Sequence, residues 1–193
     1  MNNTATRLVI FGRQGAGKGT QCGRIVEQYG VVHLSTGDMF RAARDEGTEL
    51  GKQVAPIMAS GGLVSDELTI AIVEERLASA EIQNSGFVLD GFPRTPAQAE
   101  ALLAMLGDDR LHAVLNLDVP LSEVTARMKA RAREDDTDEG IAKRLALYDQ
   151  ETVPTINWFA DRDLLVNVDG LGTEDEVTGR IFKIIDNVLA ATP

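Results

Sequence analysis

Short runs of uninterrupted apolar residues alternate along this chain with longer stretches in which apolar positions recur every three or four residues. Leu8-Val9-Ile10-Phe11 reads as a strand, followed by a Gly-rich turn and a helical pattern over residues 18–29. Further strands are expected at 31–34, 87–89, 113–119 and 164–168. The amphipathic stretches between them predict helices over 66–80, 96–106, 121–133, 141–159 and 174–189. Strands that stay apolar at every position suit a parallel sheet covered on both faces. Strand–helix–strand repetition then predicts an α/β fold: a doubly wound, parallel, five-stranded sheet with helices on both faces and right-handed crossovers.

Two stretches break this rhythm. Residues 36–64 carry two helical patterns and no good strand, which marks a helical insertion. Residues 128–138 are dense in charge, and between Ala132 and Gly140 only the methyl of Thr137 is apolar. A solvated lid or loop is expected there.

Composition narrows the class. A chain of 193 residues, 44% hydrophobic and 25% charged, has the balance of one globular domain with insertions, which excludes disorder, collagen and coiled coil as the main architecture. Nineteen Lys+Arg against thirty Asp+Glu give a net charge of −11, so a basic surface for nucleic acid is not expected. The single cysteine, Cys22, can form neither an internal disulfide nor a multi-cysteine zinc site, which fits a reducing cytoplasm. No apolar run approaches the roughly 18 residues of a membrane span, so no membrane association is expected.

The segment with most chemistry is Gly12-Arg13-Gln14-Gly15-Ala16-Gly17-Lys18-Gly19-Thr20. It fits the Gly-x-x-x-x-Gly-Lys core of a P-loop, with Gly19 inserted before the threonine. Glycines let successive backbone N–H groups turn inward as an anion nest, and the following helix adds its N-terminal dipole. Lys18 is then placed to reach β- and γ-phosphates, and the Thr20 hydroxyl to face Mg²⁺. Nicotinamide binding is disfavoured, because the glycines at 12, 15, 17 and 19 miss the Gly-x-Gly-x-x-Gly spacing. Downstream, Phe87-Val88-Leu89-Asp90 is an apolar strand ending in a carboxylate, the form of an element that holds Mg²⁺ through water.

Four further segments resemble adenylate kinases. They are His33-Leu34-Ser35-Thr36-Gly37-Asp38-Met39-Phe40-Arg41, Gly62-Leu63-Val64-Ser65-Asp66-Glu67, Asp90-Gly91-Phe92-Pro93-Arg94-Thr95-Pro96-Ala97-Gln98, and the arginine pattern Arg127, Arg131, Arg133, Arg144. The likeness runs from about Leu8 to Gly172 and is of the short-lid type. Seven basic residues fall in matched positions, six of them arginine. The planar fork of arginine binds phosphate oxygens bidentately and stays charged.

The resemblance implies the parts. Gly15, Ala16, Gly17, Lys18, Gly19 and Thr20 are expected to cradle ATP, with Arg127 and the backbone at Gly172 near its adenosine. Thr36, Arg41, Gly62, Leu63, Val64, Gly91, Phe92, Pro93, Arg94 and Gln98 are expected to hold AMP. Arg133 and Arg144 should reach phosphates shared by both nucleotides. Lys18, Arg94, Arg127, Arg133 and Arg144 form the implied catalytic set, and Thr20 and Asp90 the Mg²⁺ site. The domain is expected to divide into a core (1–35, 65–127, 139–193), a nucleoside-monophosphate insertion (36–64) and a lid (128–138). ATP, AMP and ADP are the implied ligands of a cytoplasmic monomer. A lid without cysteines excludes structural zinc.

Gln14 stands where the family usually has proline, which removes a φ restraint and adds an amide. A uridylate/cytidylate kinase is the nearest alternative, but that family usually has Ala at the Thr36 position and Asn at the Gln98 position. Gln98, with Thr36 beside it, therefore favours adenine. A nucleotide sensor without turnover is a second alternative, disfavoured by the full set of family cations. A GTPase would need Asn-Lys-x-Asp, which is absent. His33 and His112 fall at strand edges without an expected catalytic role, and Cys22, Trp158 and Phe159 read as packing residues.

Overall fold

The computed structural model describes residues 5–60, 62–107, 110–131 and 137–191. In chain order it runs β1 (Thr6–Phe11), α1 (Lys18–Tyr29), β2 (Val32–Ser35), α2 (Thr36–Asp45), α3 (Glu49–Ala59), α4 (Asp66–Leu77) and α5 (Ala80–Ser85). It continues with β3 (Gly86–Asp90), α6 (Pro96–Leu106), β4 (Ala113–Asp118), α7 (Leu121–Arg131) and α8 (Asp138–Leu147). A π-helical turn (Tyr148–Thr152), α9 (Val153–Ala160), β5 (Leu165–Asp169) and α10 (Glu174–Ala191) complete it.

The five strands pair in the order β2-β3-β1-β4-β5, all parallel. This is the expected doubly wound sheet. Along β1 the side chains alternate between two cores. Leu8 and Ile10 pack with Cys22 and Ile25 of α1 and Ile181 and Ile185 of α10. Val9 and Phe11 pack with Val73 and Leu77 of α4, Leu102 of α6 and Phe159 of α9. Both faces of the central strand are thus buried, which is why its sequence shows no polar alternation. A third, small cluster of Phe40, Val54 and Val64 holds α2 and α3 together with Leu68 and Ile72 of α4.

Three expected helices change. The helix of 66–80 ends at Leu77, and a short α5 follows before β3. The helix of 141–159 begins earlier, at Asp138, and is interrupted by the π-turn. Pro154 has no N–H for the i→i−4 ladder, and the N–H of Val153 reaches back to the carbonyl of Tyr148 instead. The helix from 121 is described to Arg131, and the rest of that expectation, with residues 132–136 of the lid expected at 128–138, lies outside the described residues. Among the described residues no helix is long and apolar enough to cross a membrane.

Candidate active site

The site lies beyond the carboxyl ends of β1, β2 and β3, where the chain reverses its direction of travel across the sheet. Residues 12–17 turn from β1 into α1. Gly15 has φ +87°, and a Cβ there would stand 2.6 Å from the carbonyl oxygen of Val124, so only glycine fits against α7. The N-cap of α1 is Gly17, with no side-chain cap and no acidic residue in the first turn. By contrast α2, α3, α4, α6 and α8 are capped by the hydroxyls of Ser35, Thr48, Ser65, Thr95 and Thr137. The first-turn amides of α1 therefore remain available to an anion. Lys18 folds back over the loop, donating from Nζ to the Gly12 carbonyl at 2.8 Å and standing 3.9 Å from Asp90 Oδ1.

β3 ends in Asp90, and the next residues form the opposite part of the cleft. Gly91, at φ +85°, offers its carbonyl to two donors: Thr36 Oγ1 at 3.0 Å and Arg94 Nε at 2.8 Å. A Cβ on Gly91 would sit 2.9 Å from that Thr36 hydroxyl. The Arg94 backbone is fixed as well. Its N–H donates to Gln98 Oε1 at 2.8 Å, and its carbonyl accepts from Thr155 Oγ1 at 2.9 Å. Gln98 Nε2 donates to Asp66 Oδ1 at 2.8 Å, and Thr95 Oγ1 donates to the other Asp66 oxygen at 2.8 Å.

Lys18, Arg41, Arg94, Arg127 and Arg144 all line one cleft of about 530 Å³. Burial lowers the Arg94 pKa most, attraction to Asp90 opposes this, and the charges of Arg144 and Arg41 lower it further. Like charges gathered in one cleft disfavour one another, a cost that an anion bound there would relieve. Burial alone would raise the Asp90 carboxyl, but Lys18, His33 and Arg94 hold it below the usual carboxylate range. Asp90 and Thr20 both line the cleft. Two hard oxygen donors leave most of an octahedral shell to water and phosphate, a set that fits Mg²⁺.

Most expected site residues meet in this cleft: Gly15, Gly17, Lys18, Gly19, Thr20, Thr36, Arg41, Gly62, Leu63, Val64, Asp90, Gly91, Pro93, Arg94, Gln98, Arg127 and Arg144. Two side chains do not. Ala16 and Phe92 point into the core, so each contributes only backbone at the loop it belongs to. Gly172, in the turn between β5 and α10, is not part of the described cleft wall. Arg133 lies outside the described residues, and so does the side chain of Arg131.

Like Arg94, the three other arginines that line the cleft are engaged by the protein itself. Arg41 pairs with Asp38, Arg127 Nε donates to Glu123 Oε1 at 2.8 Å, and Arg144 Nε donates to the Gly140 carbonyl at 3.2 Å. Sequence reasoning passed over Asp66, Thr95 and Thr155, which position Gln98 and Arg94. Asp66 reads as an ordinary first-turn acid after the Ser65 cap, and nothing local signals its long-range partner. His112 lies away from the cleft, its Nδ1 accepting the Arg7 N–H at 3.1 Å. Phe159 is fully buried, and Trp158 packs edge-on against it under the Arg162 guanidinium.

A family model described as adenylate kinase matches residues 10–164. An adenylate kinase of Stenotrophomonas maltophilia is 44% identical over 186 residues, covering 93% of this chain and 98% of its own length. One of Hyphomonas neptunium is 46% identical over 180 residues, with 90% and 95% coverage. One of Cyanothece sp. is 45% identical over 188 residues, with 94% and 96% coverage.

Proposed function

This chain belongs to the adenylate kinase family, and from that premise we infer that it is a nucleoside monophosphate kinase carrying out reversible phosphoryl transfer between ATP and AMP, giving two ADP. One observation carries the reading. A single cleft is lined by an uncapped helix N-terminus with its lysine, by a group of arginines, and by an amide held in one orientation.

The donor ATP lies along residues 15–20, with Arg127 and Gly172 toward its adenosine. AMP lies along Thr36, Arg41, residues 62–64, residues 91–94 and Gln98. Arg144 and Arg133 serve phosphates of both nucleotides. Residues 36–64 act as the AMP-binding insertion and 128–138 as a short lid over the core.

No side chain needs to become covalently attached. An AMP phosphate oxygen attacks the γ-phosphorus in line, and the β-phosphate oxygen of ADP departs. Lys18 and the arginines hold the two phosphate chains at reacting distance and neutralise charge on the transferring group, which is positioning plus electrostatic stabilisation. Thr20, and Asp90 through water, would hold Mg²⁺, which would supply charge withdrawal from the phosphates. We assign the enzyme to the cytoplasm, as a monomer.

The test is a coupled assay of ADP formation from MgATP with AMP, CMP and UMP as acceptors. AMP is expected to be preferred by a wide margin. Equal use of CMP or UMP would transfer the chain to the pyrimidine branch, and tight nucleotide binding without turnover would make it a sensor.

A further inference from the structure

Beneath the phosphate cradle, three elements turn metal-binding groups toward one point. The ligand atoms of Cys22 on α1, His33 on β2 and Asp90 on β3 all lie within 4.8 Å of one another. His33 Nε2 is 3.8 Å from Asp90 Oδ2, while the other Asp90 oxygen faces Lys18. That Nε2 is buried and finds no hydrogen-bond partner among the described residues. A buried imidazole nitrogen that lies between a thiol and a carboxylate and makes no hydrogen bond is open to a ligand. Phosphoryl transfer does not use Cys22, so it does not explain why the thiol stands beside this pair.

We propose that Cys22, His33 and Asp90 form a site for a thiophilic cation of the Zn²⁺ type, and that its occupancy shuts off phosphoryl transfer. The chemistry is suited to such an ion. Thiolate and imidazole select soft and borderline metals over Mg²⁺, which takes oxygen donors. In a tetrahedral shell with Zn–S about 2.3 Å and Zn–N about 2.0 Å, neighbouring ligand atoms stand roughly 3.5 Å apart. The observed separations, none above 4.8 Å, exceed this by about 1.3 Å at most. One thiolate and one carboxylate balance a divalent charge, so the filled site is neutral: it takes in two positive charges, releases the thiol proton, and cancels the Asp90 charge that faces Lys18.

Binding replaces the thiol proton, which leaves to solvent. Burial, followed by the nearby Asp90 charge, raises the Cys22 pKa, so the thiol stays protonated until an ion arrives. Asp90 and His33 both line the cleft floor, which provides the entry route and a position for a fourth, water ligand. Inhibition rests on the proposed function above, because the ion takes up the carboxylate that holds the water shell of Mg²⁺. Binding itself does not depend on that reading.

The nucleotide-free enzyme is titrated with Co²⁺ and followed by absorption, and its affinity for Zn²⁺ is measured by competition with a chelating dye. A thiolate-to-cobalt charge-transfer band is expected, and the chain's one cysteine makes it diagnostic. Cys22→Ala and Cys22→Ser should stay folded and keep basal turnover, and His33→Asn should stay folded. They should bind Zn²⁺ at least tenfold more weakly, since even loss of an outer-shell partner costs about 10–100-fold. Zn²⁺ should inhibit ADP formation by the wild type, reversibly with chelator, and spare the variants. Absence of the band in the wild type, or an unchanged Zn²⁺ affinity in the folded variants, overturns the site. Binding at the triad with undiminished turnover overturns the inhibition. An enzyme that makes no ADP even without metal defeats the nucleotide reading instead, and leaves the binding result to decide the site.

Discussion

Asp66 sets the orientation of Gln98. The amide nitrogen donates to Asp66 Oδ1 at 2.8 Å, and the amide oxygen accepts the Arg94 N–H at 2.8 Å. A carboxylate only accepts and a backbone N–H only donates, so turning the amide over would set oxygen against oxygen and N–H against N–H. One N–H and one lone pair of Gln98 remain. In that order they complement the N1 acceptor and N6 donor of adenine, whereas guanine presents O6 and N1–H in reverse.

The first prediction follows from this clamp. Asp66→Asn keeps the shape but no longer enforces one amide orientation. Weakening one hydrogen bond by about 1 kcal/mol should raise the AMP KM about fivefold and leave the ATP KM unchanged. GMP should gain relative to AMP. Unchanged AMP and GMP kinetics would show that Asp66 serves α4 alone.

Lys18 bridges the loop carbonyls and Asp90. Lys18→Met keeps the aliphatic stem, so the fold should survive while turnover falls by about 10²-fold or more, the size of losing one preorganised donor to a developing charge. Circular dichroism and an ADP-formation assay decide this. A folded variant with near-normal turnover would remove Lys18 from the chemistry.

The sheet, the cradle and the cleft's cations were legible because their signals are local. Apolar runs mark β1, β3 and β4, and glycine spacing marks the loop after β1. The clamp on Gln98 was not legible, because it joins α4 to α6 across 32 positions of sequence. The break before α9 was visible only as Pro154, whose effect depends on whether the helix can widen to absorb it. Arg41 and Arg127 show a further gap. Spacing marks each as a candidate for phosphate binding but does not reveal the carboxylate, Asp38 or Glu123, that it pairs with.

His112 should make the fold acid-sensitive. Burial, and then the Arg7 charge, pull its pKa below the 6.5 of a free histidine. Above pH 6.5 both folded and unfolded chains carry it neutral, and its contribution is complete. As pH falls through 6.5 the unfolded chain takes up a proton that the folded chain refuses, so stability declines until the lower folded pKa is passed. His112→Asn keeps an acceptor near the Arg7 N–H without titrating. Its melting temperature should therefore fall less than that of the wild type between about pH 7.5 and 5.5. Parallel melting curves across that range would place the acid response elsewhere.

Base selection should reside in Gln98 and not in Thr36. The Thr36 hydroxyl, buried to 1% exposure, donates to the Gly91 carbonyl, the same oxygen that receives Arg94 Nε. Its hydrogen is thus committed to the turn after β3, although the sequence suggested a role beside the base. Thr36→Ala should loosen Gly91 and Arg94 and lower kcat/KM for AMP, CMP and UMP by a common factor. Gln98→Ala instead removes the groups that meet the adenine edge. Leaving that edge unpaired in a buried slot costs about 1–3 kcal/mol, so the AMP KM should rise about tenfold or more while the ATP KM stays put. The AMP:CMP ratio is the discriminating measurement. It should hold constant in Thr36→Ala and collapse in Gln98→Ala, and a collapse confined to Thr36→Ala would hand base recognition back to the hydroxyl.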